Sequence, residues 1–253
     1  MNHRSFGKLY RKAGQLMPQI TNTYICIDLE TTGLNPKTDR IIEIGAVKIE
    51  NGEQTGTFES FVNPGRMLEE RIISLTGIRD QDLAGAPRME EVLPELLDFM
   101  GDRVLLGHSL LFDYSFLKKA AVNQKLTFER KGIDTLKIAR KYLPELPSRS
   151  LDFLCGHFGI PHRAHRALED ARATVALYRK LLEGFWGEET REDFCPRDLI
   201  YRAKRDTPAT KAQIERLYKL LQQHKIDSTM DPAQLTRSEA SRYTDQLLAR
   251  YGR

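Results

Sequence analysis

An α/β domain, with helices laid over a mixed sheet, is what the 253-residue sequence predicts. Three observations predict it. Short apolar runs rich in β-branched residues come first, separated by turn signals, and read as a three-stranded meander. From about residue 69 the apolar spacing lengthens to three and four, the helical period. Helical stretches then alternate with a short buried strand candidate, the pattern of a layered α/β fold. The length allows one sizeable domain plus extra, or two small ones, and an apolar fraction of 40% is enough for a packed core.

The elements follow in order. Residues 1–20 place Phe6, Leu9, Tyr10, Ala13 and Leu16 or Met17 at helical spacing, with four basic residues and no acid. They read as a basic amphipathic helix docked ahead of the first strand. A targeting peptide is the other reading, although the segment is poor in Ser. The first strand begins at Ile25 and breaks at Gly33. Residues 41–49 and 55–62 are the next two strands, with Asn51-Gly52 as the turn between them and Asn63-Pro64-Gly65 as the stop. A short helix carries Ile72, Ile73 and Leu75 and ends at Gly77. Residues 89–100 form a helix with Val92, Leu93, Leu96, Leu97 and Met100 on one face. A short strand at 104–106 leads through Gly107-His108-Ser109 into a helix at 110–122. Further helices are expected at 134–142, at 150–158 and, with no Gly or Pro inside it, at 166–182. Residues 184–206 read as a linker. Beyond it, Thr210 with Gln213 and Thr236 with Glu239 have capping-box spacing, so 207–253 is expected to be a helical hairpin.

Composition narrows the function classes. No run of about 18 apolar residues is present, so no membrane span is expected. Nothing at the N-terminus has the form of a secretory apolar region. Cys26, Cys155 and Cys195 are odd in number and widely spaced, which argues against a zinc ribbon or disulfide framework and for a reducing, cytoplasmic compartment. The net charge of +4 is unevenly spread: 1–20 carries +4, 196–253 holds 12 Lys and Arg against 7 Asp and Glu, and 21–195 holds 23 against 28. An acidic centre between basic ends suits a metal-carboxylate site with phosphate-attracting extensions, although modest imbalances of this kind are common.

The chemistry centres on residues 25–34. Side chains alternate along a strand, so Asp28 and Glu30 share a face while Ile27 and Leu29 take the other. Two like charges side by side repel and resist desolvation unless a cation lies between them. The pair is either an exposed acidic strand face or half of an oxygen-ligand site for a hard divalent cation such as Mg²⁺ or Mn²⁺. Asp113, early in the 110–122 helix, and Asp170, on the 166–182 helix, are candidates for the other half; each by itself also reads as a solvent-facing acid. His165 lies just before the second helix, either a loop residue or a neutral imidazole able to take a proton from water near pH 7. Four carboxylates and one histidine suit two-metal phosphodiester hydrolysis, with the ions about 3.5–4 Å apart.

Three stretches carry a resemblance. Asp28-Leu29-Glu30-Thr31-Thr32-Gly33-Leu34, then residues 107–117 (Gly-His-Ser-Leu-Leu-Phe-Asp-Tyr-Ser-Phe-Leu), then His165-Arg166-Ala167-Leu168-Glu169-Asp170-Ala171 resemble the three exonuclease motifs of the DEDDh, or DnaQ-like, 3′–5′ exonucleases. This family includes the proofreading subunit of bacterial DNA polymerase III. Residues 41–47, 75–78 and 134–140 are similar as well, so the resemblance covers about 22–183. It implies a ribonuclease H-like fold, a five-stranded mixed sheet with helices on both sides, over 21–183. It implies that Asp28 bridges two divalent cations, that Glu30 and Asp170 complete one site, and that Asp113 holds the second ion through water. His165 stands at the family's histidine position and would be the general base. The backbone around 30–32, with Thr31, Thr32 and Gly33, would contact the 3′-terminal sugar. Leu34 would wedge against the terminal bases, Phe112 would pack nearby, and His108 and Ser109 would line the same cleft. Many members carry Asn where this chain has Ser109, which alters the hydrogen bonds expected of that loop.

The implied activity is a 3′–5′ exonuclease releasing nucleoside 5′-monophosphates from single-stranded 3′ ends, with DNA favoured and proofreading or repair as the setting. An RNA-trimming exonuclease is the alternative within the class. A non-catalytic nucleic-acid or polymerase-docking module is disfavoured because all five required positions are filled. The C-terminal hairpin, similar in outline to helical modules appended to bacterial nucleases, would either add phosphate contacts or dock a polymerase, another repair protein or a second copy.

Overall fold

Strand β1 (Tyr24–Thr31) is the central strand of the molecule. The computed structural model describes residues 21–226 and 231–252; the expected N-terminal helix over 1–20 lies outside them. β1 pairs antiparallel with β2 (Ile41–Glu50), which pairs antiparallel with β3 (Glu53–Phe61) across the Asn51-Gly52 turn, so the meander forms as its sequence predicts. On its other side β1 runs parallel to β4 (Val104–Gly107), and β4 parallel to β5 (Lys131–Asp134).

The sheet has six strands rather than five, in the order β3-β2-β1-β4-β5-β6. The sixth, β6 (Arg197–Asp198), is two residues long and antiparallel to β5. A two-residue strand has no periodicity to read. It is held by tertiary contact: Leu199 N donates to Arg130 O at 3.0 Å, and a Cβ at Gly132 would meet the Leu199 side chain at 2.9 Å. β5 escapes the pattern for the same reason, being four residues with a glycine inside.

Helices cover both faces. α1 (Glu70–Thr76), α2 (Asp80–Leu83) and α3 (Met89–Met100) follow the meander. α4 (Leu111–Asn123) follows β4, and α5 (Thr135–Tyr142), α6 (Leu151–Phe158) and α7 (Ala167–Phe185) follow β5. α1 closes at Gly77, whose φ of +72° is a left-handed conformation that favours glycine. Alternation along β1 divides the core. Tyr24 and Cys26 pack with Ile138, Leu154, Leu177 and Leu181 of α5–α7. Ile25, Ile27 and Leu29 pack with Val92, Leu96, Tyr114 and Leu117 of α3 and α4.

Two further helices close the chain. α8 (Lys211–Gln223) and α9 (Arg237–Tyr251) start at the predicted capping boxes, with Thr210 accepting from Gln213 N and Thr236 from Glu239 N. Their shared core is small, built on Leu217, Leu235 and Ala240. Among the described residues no helix is long and apolar enough to cross a membrane.

Candidate active site

Asp28 and Glu30 have the same parity as Tyr24 and Cys26, so strand alternation sends them to the α7 face. β1 carries an irregularity between Glu30 and Thr31, the kind of bulge that re-aims side chains at a strand end. Directly opposite Asp28 on β2 is Gly45. A Cβ there would fall 2.1 Å from the Ala167 backbone, so only glycine lets the start of α7 descend onto the sheet at this point. That descent brings Asp170, in the first turn of α7, to the two strand carboxylates. One oxygen each from Asp28, Glu30 and Asp170 lie within 4.8 Å of one another.

Asp113 reaches the site from the opposite layer. It sits in the first turn of α4, is buried, and accepts a hydrogen bond from Leu29 N at 3.1 Å through Oδ1. Neither Asp113 nor Asp170 is the solvent-facing acid that each could have been by itself. Burial pushes the Asp28 carboxyl well above its ordinary range, and the charges of Asp113, Asp170 and Glu30 push it further. Glu30 is pushed up to about 8, by burial first and then by Asp170 and Glu43, with Arg166 pulling the other way. Burial also raises Asp113, against the backbone N–H groups of Asp113 and Leu29 that favour its charged form. Buried carboxylates crowded in this way need a cation between them. The donors are all oxygens, the set that Mg²⁺ or Mn²⁺ prefers.

His165 is placed beside this cluster by a left-handed backbone, φ +66°, unusual for a non-glycine residue. Its side chain is half-exposed, with Nδ1 4.0 Å from Glu30 Oε1. Asp170 stabilises the turn, since Oδ2 accepts from His165 N at 2.9 Å and Arg166 N at 3.2 Å. The other oxygen, Oδ1, is contacted by His162 Nε2. The His162 side chain is buried, with Nδ1 3.5 Å from Asp152 Oδ1. No sequence signal singles it out, because 159–166 is irregular and no fixed spacing links it to Asp170.

Glu43 is the second residue that the motif reading missed. It is wholly buried on β2 and accepts from Arg166 Nε at 3.0 Å, Arg166 Nη2 at 2.9 Å and Ala167 N at 3.1 Å. The signal was present: one acid inside the apolar run of 41–47 must find a partner once the strand is buried.

The expected substrate residues divide. Thr31 Oγ1 donates to Gly33 O at 2.7 Å, and Thr32 Oγ1 accepts from Arg40 N at 3.0 Å and Arg66 Nη2 at 2.7 Å. Both hydroxyls shape the loop rather than project from it. Gly33 lies against the Asp39 carboxylate, whose nearest oxygen would be 2.6 Å from a Cβ. Leu34 is 84% exposed, free to meet a ligand. Phe112 packs on Phe116 with ring centroids 5.0 Å apart. Ser109 has φ +68° and donates its N–H to Asp134 Oδ1. His108 is engaged on both ring nitrogens. Its Nδ1 bonds Thr135 Oγ1 at 2.9 Å and its Nε2 the Arg149 carbonyl at 2.8 Å, so both ring nitrogens staple β4 to the segments around α5 and α6.

A sequence profile described as Exonuclease (RNase_T) matches residues 25–178. The DNA polymerase III subunit epsilon of Aquifex aeolicus is 39% identical over 169 residues, which is 66% of this chain and 84% of that one. The PolC-type DNA polymerase III of Caldanaerobacter subterraneus is 42% identical over 172 residues, 67% of this chain and 12% of that polymerase, so the chain spans only a small part of such relatives. Among solved structures, the nuclease domain of 3′hExo, a DEDDh family member bound to rAMP, has the same fold, with a TM-score of 0.55 and 24% identity over 64% of this chain and 93% of that one.

Proposed function

The chain belongs to the exonuclease (RNase_T) family, and from that premise we propose that it is a metal-dependent 3′–5′ exonuclease of the DnaQ-like DEDDh branch. Its substrate is the 3′ end of single-stranded DNA, its product nucleoside 5′-monophosphates, and its setting proofreading or repair beside a DNA polymerase in the cytoplasm. The single observation that carries this reading is the convergence of Asp28, Glu30 and Asp170 within 4.8 Å, beside the half-exposed His165. The likeness to DNA polymerase III subunits favours DNA over RNA. Residues 21–183 form the nuclease unit and 207–253 an accessory helical pair.

Asp28, Glu30 and Asp170 would hold one divalent cation, Mg²⁺ or Mn²⁺, and Asp28 with Asp113 a second. When bound, such ions lower the pKa of water and neutralise charge on the attacking and leaving oxygens. The rest falls to the protein. His165 takes the proton of the attacking water, at a position open to solvent and next to Glu30. Leu34 and Phe112 flank the terminal base, which calls for little sequence preference. The loop after β1 presents its backbone to the terminal sugar.

The test is stepwise shortening of 5′-labelled DNA and RNA oligonucleotides of matched sequence, run side by side with Mn²⁺ or Mg²⁺. DNA should shorten faster, and EDTA should stop it. Faster loss of RNA would transfer the activity to RNA trimming. No shortening of either would end the exonuclease reading.

A further inference from the structure

The loop between β1 and β2 is not held by the nuclease sheet alone. Arg66, on the segment after β3, donates through Nη2 to Thr32 Oγ1 and to Thr38 O, each at 2.7 Å. The same guanidinium reaches Glu239 of α9, with Nη1 3.4 Å from Oε1. Arg40, at the loop's end, places Nη2 2.7 Å from that same Glu239 oxygen. One turn along α9, Arg242 donates to Thr38 Oγ1 at 3.0 Å and contacts Asp39 Oδ1, while Asp39 Oδ2 accepts from Asn35 N at 2.9 Å. Asp39 and Glu239 are both buried, so each needs these cations as partners. Glu239 is held on its other side too, since Oε2 accepts from Thr236 N at 2.9 Å in the cap of α9.

The helix pair is anchored a second time, on α4. Asp206, just before it, accepts from Lys119 Nζ at 2.6 Å and Asn123 Nδ2 at 2.9 Å, and its own N–H donates to Asn123 Oδ1 at 2.9 Å. One anchor is on the later turns of α4 and the other on the loop after β1, so the segment from Asp206 through α9 ties these two parts of the nuclease together.

We propose that the C-terminal helix pair is a positioning device for the substrate loop. Glu239 and Arg242 act through Arg40, Arg66 and Asp39 to hold residues 32–40 in the conformation that receives the 3′ terminus. This rests on the reading of that loop as the substrate grip. It differs from a direct phosphate-binding role for the tail, because Arg242 is already engaged by Asp39 and Thr38 and is 25% exposed. A loop ordered for only a fraction of the time weakens apparent affinity by that fraction and leaves the chemical step alone.

The experiment uses the full chain with Mn²⁺, the variants Arg242→Gln, Arg242→Lys and Glu239→Gln, and two substrates, a single-stranded DNA oligonucleotide and bis(p-nitrophenyl) phosphate. The small diester needs the acidic cluster but no loop. Arg242→Gln and Glu239→Gln should each raise KM for the oligonucleotide by about tenfold, with kcat and diester hydrolysis near the wild-type values. Arg242→Lys should restore most of the affinity. Amide exchange over 33–40 should quicken in both Gln variants while 211–223 stays protected. Should Arg242→Gln strip protection from 211–223, Glu239→Gln decides, because it keeps the capping oxygen of α9. Unchanged KM in that variant overturns the proposal. So does a KM penalty that vanishes at high salt, which would mark Arg242 as a phosphate contact. A wild-type protein inactive on both substrates would remove the exonuclease reading, and amide exchange over 33–40 would still report whether the helix pair orders the loop.

Discussion

Arg166 lays its guanidinium on the wholly buried carboxylate of Glu43, with Nε and Nη2 both on Oε1 at 3.0 and 2.9 Å. Ala167 N completes the set of donors at 3.1 Å on Oε2. The contact pins the start of α7 to β2, four residues before Asp170. Removing the cation leaves a buried charge without its partner, at a cost of about 3–5 kcal/mol. Arg166→Ala should lower stability by that order in urea unfolding and reduce exonuclease turnover even where the protein remains folded. A loss below about 1 kcal/mol would show that solvent reaches Glu43 and that the clamp is weak.

Gly45 supports the same junction from below. Gly45→Ala would put a methyl 2.1 Å from the Ala167 backbone, and overpacking of this kind costs about 1–3 kcal/mol. Because α7 must rise off the sheet, Asp170 leaves the other carboxylates. Turnover should therefore fall much further than the melting temperature suggests. Activity that declines only in proportion to the folded fraction would place the damage elsewhere.

The acidic cluster predicts an unusual response to pH. Glu30 is raised from 4.5 to about 8 in the folded chain, and Asp28 is raised as well. Between those values the native state binds more protons than the unfolded state, so stability in EDTA should fall as pH rises from about 4.5 through about 8. A divalent cation binds the deprotonated form. The increase in melting temperature on adding Mn²⁺ should accordingly be larger at pH 8 than at pH 6, and the EDTA and Mn²⁺ curves should diverge. Parallel curves would sink the assignment of Asp28 and Glu30 as ligands.

His165 and Asp28 should separate in their effects. His165→Ala should lower kcat by about 10²–10⁴-fold, the range for a general base, while keeping the thermal stabilisation by Mn²⁺. Asp28→Asn should lose both. Activity near the wild-type value in His165→Ala would assign the proton transfer to another group.

Much of the fold was legible because its signals are local. Apolar runs rich in β-branched residues at 25–29 and 41–47 marked the central strands, Asn51-Gly52 marked the turn between β2 and β3, and Thr210 and Thr236 marked the last two helices. β5 and β6 were not legible, since strands of four and two residues are made by the neighbours they pair with. His108 shows the limit of motif reading: it lies inside the second motif, yet Thr135 and Arg149 occupy both of its nitrogens.

By itself the sequence determined the chemistry available: four carboxylates and a histidine in three ordered motifs, two of the acids on one strand face by alternation. Tertiary structure decided how they meet. Gly45 lets α7 approach until Asp170 joins Asp28 and Glu30, Asp113 arrives from the opposite layer, and Glu239 and Arg242 reach back to the loop after β1. The physical reason is range. A strand or a cap is a property of neighbours in the chain, whereas a buried charge takes its partner from whatever segment the closed core brings within about 3 Å of it.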